Sequence, residues 1–176
     1  MPAAPHPSDE RLVAFLASGA DPLGDPMRDP RLARAWCAEH GIETGRRPLA
    51  APDLARLRAL RAGLRAAIDA PDATAARRLG ALSRDARLTI EIGPDGPGLS
   101  PGAPGVDGVI GRLLLDAADA TSRGSWRRVR VCAAPACARV FLDTTRAGNR
   151  SWCDMATCGN RSKVRAHRAR SRGTDA

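Results

Sequence analysis

Four of the chain's five cysteines stand in two close pairs, Cys132-x4-Cys137 and Cys153-x4-Cys158, with fifteen residues between the pairs. Brought together in space, two such pairs make either a tetrahedral thiolate cage for zinc or two disulfides. Redox compartment separates these readings. The N-terminus, MPAAPHPSDE, lacks the basic start and apolar stretch of a secretory signal, and no apolar run has the length of a membrane span. These features lead to the expectation of a cytoplasmic protein, where thiols stay reduced and paired cysteines usually mean metal. Thiolate at all four positions leaves no open coordination site for water. The expected ion is therefore a single structural Zn2+ and not a catalytic one.

The residues around the pairs suggest a small knuckle, hairpin and helix. Cys132-Ala-Ala-Pro-Ala-Cys137 is built of small residues that let the backbone bend around a metal. Arg139 to Asp143 reads as a short strand and Thr144 to Arg150 as a loop. Asp154 is placed to cap a helix that carries Cys158 in its early turns and runs to about Ser171. That order resembles a treble-clef finger.

Cys158-Gly159-Asn160-Arg161, with Trp126, Cys132, Cys137, Val140-Phe141, Asp143, Asn149-Arg150, Trp152-Cys153 and Lys163 in order around it, resembles the CGNR zinc-finger family. The likeness covers about the last fifty residues. It implies zinc held by Cys132, Cys137, Cys153 and Cys158, and DNA binding in a bacterial transcription regulator. The rest of the chain is similar to the helical ABATE domain, a regulatory domain suggested to sense stress or a ligand. Val13 to Ser18 departs from that pattern, carrying alanines where the family often has an acidic residue and an asparagine.

Charge divides the chain in the same place. Residues 1–122 hold 15 basic and 16 acidic side chains, a net of −1, whereas residues 123–176 hold 13 and 3, a net of +10. Four thiolates around Zn2+ return about two negative charges and leave the segment cationic. Such a field points to a polyanion, nucleic acid above all. The expected organisation is an α+β chain: a mostly helical domain with a short β-hairpin over 1–122, then a treble-clef-like four-cysteine finger over 123–176.

Within the first part, Arg11 to Gly19 is a short apolar run, helix or strand. Asp29-Pro30 starts a helix ending at Gly41, with Leu32, Trp36 and Cys37 inward. Pro52-Asp53 opens a longer helix with Leu54, Leu57, Leu60 or Arg61, Leu64 and Ile68 at helical spacing, and Arg56, Arg58, Arg61 and Arg65 reading as a solvated face balanced by nearby acids. Pro71 stops it and Asp72 caps the next helix, Ala73 to Ser83. Arg87 to Ile92 alternates as a strand with Leu88, Ile90 and Ile92 on one face. Gly93 to Gly105, with five glycines and four prolines, reads as a hairpin or loop. Val106 to Thr121 is helical, Ser122 to Ser125 a linker, and Trp126 to Val131 a strand.

If the last helix is continuous, Arg161, Arg165, Arg168 and Arg172 lie within about 60° of one another as one basic stripe, with Lys163 and Arg170 opposite. These six are the candidate contacts to duplex DNA, through phosphates or guanine edges. Arg161 is equally placed to brace the metal loop. Asp143, Asn160 and Trp152 read as supports of that loop.

Three scattered histidines and the absence of HExxH, GxSxG or a P-loop leave no catalytic residue to name. With no tyrosine and five aromatics, stacking platforms for single-stranded RNA are scarce. The alternatives to a DNA-binding regulator are a binder of structured RNA and a redox-responsive zinc thiolate. The reading includes no membrane partner, and leaves room for a small-molecule effector and a homodimer.

Overall fold

The computed structural model describes residues 5–20, 24–69, 73–84, 86–94 and 96–173, without the side chains at 69, 75, 167, 169, 170, 172 and 173. Helix α1 (Pro7–Ala17) resolves the first ambiguity in favour of a helix. Leu12, Phe15 and Leu16, at spacings of three and four, are all fully buried. Helix α2 (Pro30–Glu39) starts as its sequence dictates, with Asp29 Oδ1 accepting from the N–H groups of Arg31 and Leu32. Its inward residues are Ala33 and Cys37, with Trp36 packed at the edge of the core. Leu32, expected inside, is 57% exposed. It precedes Ala33 by 100° of helix turn, and the buried stripe runs through Ala33 and Cys37 instead.

Helix α3 (Ala51–Asp69) is the central element. Asp53 at its third position accepts from the Ala50 N–H at 2.8 Å, the return half of a capping box. Leu54, Leu57, Leu60 and Leu64 are buried, each contributing about 1.5–3 kcal/mol by leaving water. The arginines between them do not form a solvated face. Arg61 is 7% exposed and forks onto Asp25 at 2.8 and 2.5 Å, with a further bond to Ser18 Oγ. Arg58 donates to Met27 O, and Arg56 reaches Asp107. The groups that answer them, one carbonyl and two carboxylates, lie 31 to 51 residues away, which is why local pattern suggested exposure.

Helix α4 (Ala73–Ser83) has the expected span, while Pro71 and Asp72 lie outside the described residues. Strands β1 (Leu88–Gly93) and β2 (Gly96–Pro101) form an antiparallel hairpin pairing Leu88 with Pro101 and Gly93 with Gly96. Helix α5 (Val106–Ser122) buries Val109, Ile110, Leu113, Ala117 and Ala120. Its Gly111 admits the base of the hairpin: a Cβ there would sit 3.0 Å from Ala86 O and 3.3 Å from Pro101 Cβ.

Ion pairs lock α1 to α5. Arg11 forks onto buried Asp116 with both contacts at 2.7 Å, and Arg123 binds Asp9 at 2.7 Å and also Asp119. After a single helical turn over Ser125–Arg128, β3 (Val129–Val131) and β4 (Val140–Leu142) form a second antiparallel hairpin. It packs on α1 and α3, and Val129 and Val140 are part of the same buried cluster as the helices. The chain ends in helix α6 (Asn160–Gly173). The architecture is α+β: a mostly helical region with one hairpin, then a small four-cysteine region with another. Among the described residues no helix is long and apolar enough to cross a membrane.

Candidate metal centre

The first cysteine pair sits in the connection between β3 and β4. Cys132 N–H continues the ladder to Arg139 O at 2.9 Å, and Cys137 N–H turns back onto Ala134 O at 2.9 Å. Ala138 takes a left-handed φ of +50°, rare for a residue with a Cβ, to bring the chain out of the knuckle. The Arg65 guanidinium holds its carbonyl at 2.7 Å.

The second pair is held by the turn that starts α6. Asp154 Oδ1 accepts from Thr157 N–H at 2.7 Å and Thr157 Oγ at 2.8 Å, capping a single π-helical turn over Met155–Gly159. Those two bonds hold the Asp154 carboxyl below its ordinary range. Gly159 is buried at the junction, where a Cβ would lie 2.5 Å from Met155 Sδ. The glycine of the motif thus leaves space for the methionine that folds over it.

This brings the four sulfurs of Cys132, Cys137, Cys153 and Cys158 within 4.8 Å of one another. Cys137 to Cys153 is 3.6 Å and Cys153 to Cys158 is 3.8 Å. A tetrahedron of thiolates about 2.3 Å from zinc has edges of about 3.8 Å. A disulfide would need about 2.05 Å, and all five cysteines are free.

The protonation chemistry also fits a dication. Burial pushes the Cys153 thiol up to about 12, with the sulfurs of Cys137, Cys132 and Cys158 adding to the rise. Cys158 is raised too, first by Cys137 and then by burial. At Cys132 burial acts upward but is outweighed by the N–H groups of Cys153 and Ala134, and the thiol falls below its ordinary range. Cys153 and Cys158 therefore resist ionising on their own, and a shared Zn2+ would offset that resistance. The donor set suits one structural zinc. Cys37 lies elsewhere, fully buried on α2, its thiol pushed up to about 11 by burial.

Around the cage, buried Asp143 organises the loop. Its Oδ1 accepts from Thr145 N–H at 2.9 Å and Thr145 Oγ at 2.6 Å, and its Oδ2 accepts from Arg150 N–H at 2.8 Å. Burial acts upward on this carboxyl, but those donors and the Arg128 charge hold it below the carboxylate range. Arg150 carries the brace to the metal ligands: it donates to Trp152 O at 2.8 Å and to Cys153 O, with its guanidinium 5.3 Å from the Phe141 ring centre. The motif contained Arg150, but its role shows only when the loop closes. Trp152 is half-buried and contributes its carbonyl to that brace. Asn160 heads α6 and is exposed.

Several cations of the +10 segment are thus used internally. Arg128 binds Asp143 O and Thr145 O, Arg130 binds Gly148 O, and Arg123 joins the acids of α1 and α5. On α6, Arg161, Lys163, Arg165 and Arg168 are exposed. Arg161 and Arg165, with Arg139, line an open cavity of about 550 Å³ whose floor includes Cys137, Cys153 and Cys158. The side chains of Arg170 and Arg172 lie outside the described residues.

Two family models match. The CGNR zinc finger matches residues 128–171, and the ABATE model, described as "Putative stress-induced transcription regulator", matches residues 9–148. Their overlap, 128–148, is the β3–β4 hairpin and the loop after it, the part that joins the helical core to the cage. No curated protein matches the chain. With most of its length covered by the first of these families in chain order and four of its five cysteines within the second, the chain belongs to the ABATE family and carries a CGNR zinc finger.

Proposed function

We propose that this protein is a cytoplasmic, zinc-dependent regulator of transcription that binds duplex DNA through α6. In this reading Cys132, Cys137, Cys153 and Cys158 hold one structural Zn2+, which fastens the knuckle to the helix. Residues 123–176 form the DNA-binding part and residues 1–122 the regulatory part, open to a stress signal or small-molecule effector. Arg161, Arg165, Arg168 and Arg172 form the stripe that enters the groove, with Lys163 and Arg170 reaching flanking phosphates. No residue is assigned a catalytic role.

One observation carries this reading: four sulfurs within 4.8 Å lie at the root of a helix whose described cationic side chains are exposed. The test is binding of the zinc-loaded protein to random-sequence duplex DNA by fluorescence anisotropy, across a salt series. Affinity falling steeply with salt, and lost on chelation, supports the proposal. Equal binding with and without zinc, or no DNA binding at low salt, contradicts it.

A second reading draws on the cavity. Cys137, Cys153 and Cys158 are half-buried at its floor, within reach of a small oxidant. A peroxide reduced to water would join two of these thiols as a disulfide and release the metal. Mild peroxide followed by a reductant tests this. Zinc released and then taken up again supports it, and zinc retained throughout rules it out.

A further inference from the structure

The β1–β2 hairpin has two unlike faces. Residues paired across an antiparallel ladder share a face. Leu88 with Pro101, Ile90 with Leu99 and Ile92 with Pro97 therefore make one face wholly apolar. Thr89 with Ser100, Glu91 with Gly98, and Gly93 with Gly96 make the other. Strands that alternate in this way normally bury the apolar side. Here Leu88 is 52% exposed, Ile90 70%, Ile92 79% and Leu99 55%. The other large exposed hydrophobics, Leu32, Met155 and Val164, stand singly on separate elements.

The structure assigns this face a partner: we infer that a second copy of the chain covers it, with two hairpins packed face to face about a two-fold axis. The face carries no charge. Glu91, the one charged residue among the described residues of the two strands, points to the opposite side. An acidic or basic partner finds nothing here to pair with, and an apolar surface of equal shape is what the face fits. A two-fold axis supplies it, because an isologous contact sets the same patch against itself.

Area supports the same partner. The exposed parts of the four large side chains amount to roughly 400–500 Å² of apolar surface, the size of the largest patch on a typical monomer, which is often an interaction site. Two copies facing each other would remove roughly 800–1,000 Å² from these four side chains alone, close to the ~1,000 Å² of a small specific interface, and exposed Pro97 on the same face adds to it. The hairpin is also well placed to meet a second copy: β2 packs on α5 at its base, where Pro101 rests on Gly111, while β1 is exposed along its whole length. The inference does not depend on DNA binding, although a dimer would present two fingers at a fixed spacing.

Sedimentation velocity of the full zinc-loaded chain across micromolar concentrations is the test. A reversible dimer is expected. Ile90→Asp and Ile92→Asp should each raise its dissociation constant roughly a hundredfold, because symmetry buries the new carboxylate twice without a partner. Both side chains are solvent-exposed in the single chain, so zinc content and melting temperature of the separated monomer should be unchanged. Amide exchange of the unsubstituted protein is an independent readout: protection over residues 88–101 should rise with concentration. A strictly monomeric protein overturns the inference. So does a dimer that persists in both variants, or concentration-independent exchange over the hairpin.

Discussion

The Arg65 guanidinium, on α3, donates to the carbonyl of Ala138 at 2.7 Å and to that of Leu16 at 3.0 Å. One side chain thus ties the end of α1 and the cysteine knuckle to the central helix of the core. Movement of α3 against α1 would be transmitted to the loop that holds Cys137. This contact is a physical link between the helical core and the cysteine knuckle.

Arg65→Ala should lower stability by about 1–2 kcal/mol, since two charge-assisted bonds are lost but the Ala138 contact is exposed to water. Zinc affinity should fall several-fold at the same time. Competition with a chromogenic chelator measures the second effect. An unchanged zinc affinity would mean that the link does not reach the cage.

The buried Arg61–Asp25 pair should dominate the core's sensitivity to substitution. Removing either partner strands the other charge, so Arg61→Met or Asp25→Asn should cost about 3–5 kcal/mol. The double variant should recover part of that loss. Urea denaturation of the three variants checks the order.

Acid should act through the same carboxylate and through Asp143. At Asp25 burial acts upward but is outweighed by Arg61 and the Met27 N–H, leaving the group below its ordinary value of 3.8. Asp143 is displaced in the same direction. A carboxyl held low in the folded state contributes stability that is full above the unfolded value. That stability is lost as pH falls through the folded one. Melting temperature should therefore hold near pH 5 and drop below about pH 4, with a shallower drop in Asp25→Asn.

Asp143→Asn should loosen the loop between the cysteine pairs. An amide cannot accept at both ends, so either the Thr145 or the Arg150 donors lose their partner, at about 2–3 kcal/mol. Slower zinc uptake and faster amide exchange over residues 143–153 are the expected readouts.

If α6 is the DNA-binding element, Arg165→Ala and Arg168→Ala should each reduce the salt dependence of binding by about one unit of slope. The fold should not change, since both side chains are exposed. An equal loss from Arg130→Ala would redirect the proposal to the loop, because Arg130 is bound to Gly148 O.

Much of this was legible in the sequence where the determinant is local. The Asp29-Pro30 start, the leucines of α3, the Asp154 cap and the two cysteine pairs each declare themselves within a few residues. What was not legible depends on partners far along the chain. Arg61 reads as surface until Asp25 and Ser18 arrive, and Arg65 gives no sign of Ala138, 73 residues away. Leu32 misleads because the buried stripe of α2 lies one residue over. Alternation identified β1 as a strand but did not show that its apolar face stays in solvent, because that depends on how far the hairpin extends from α5. At the cage the ligands were readable and the bracing by Arg150 was not, since it depends on carbonyls that the loop brings into place.

X-ray absorption at the zinc edge on the purified full chain tests the central claim most directly. One zinc per chain with four sulfur neighbours at about 2.3 Å is the predicted result. A shell containing nitrogen or oxygen in place of any sulfur, or a metal-free protein whose cysteines are joined as disulfides, would contradict it.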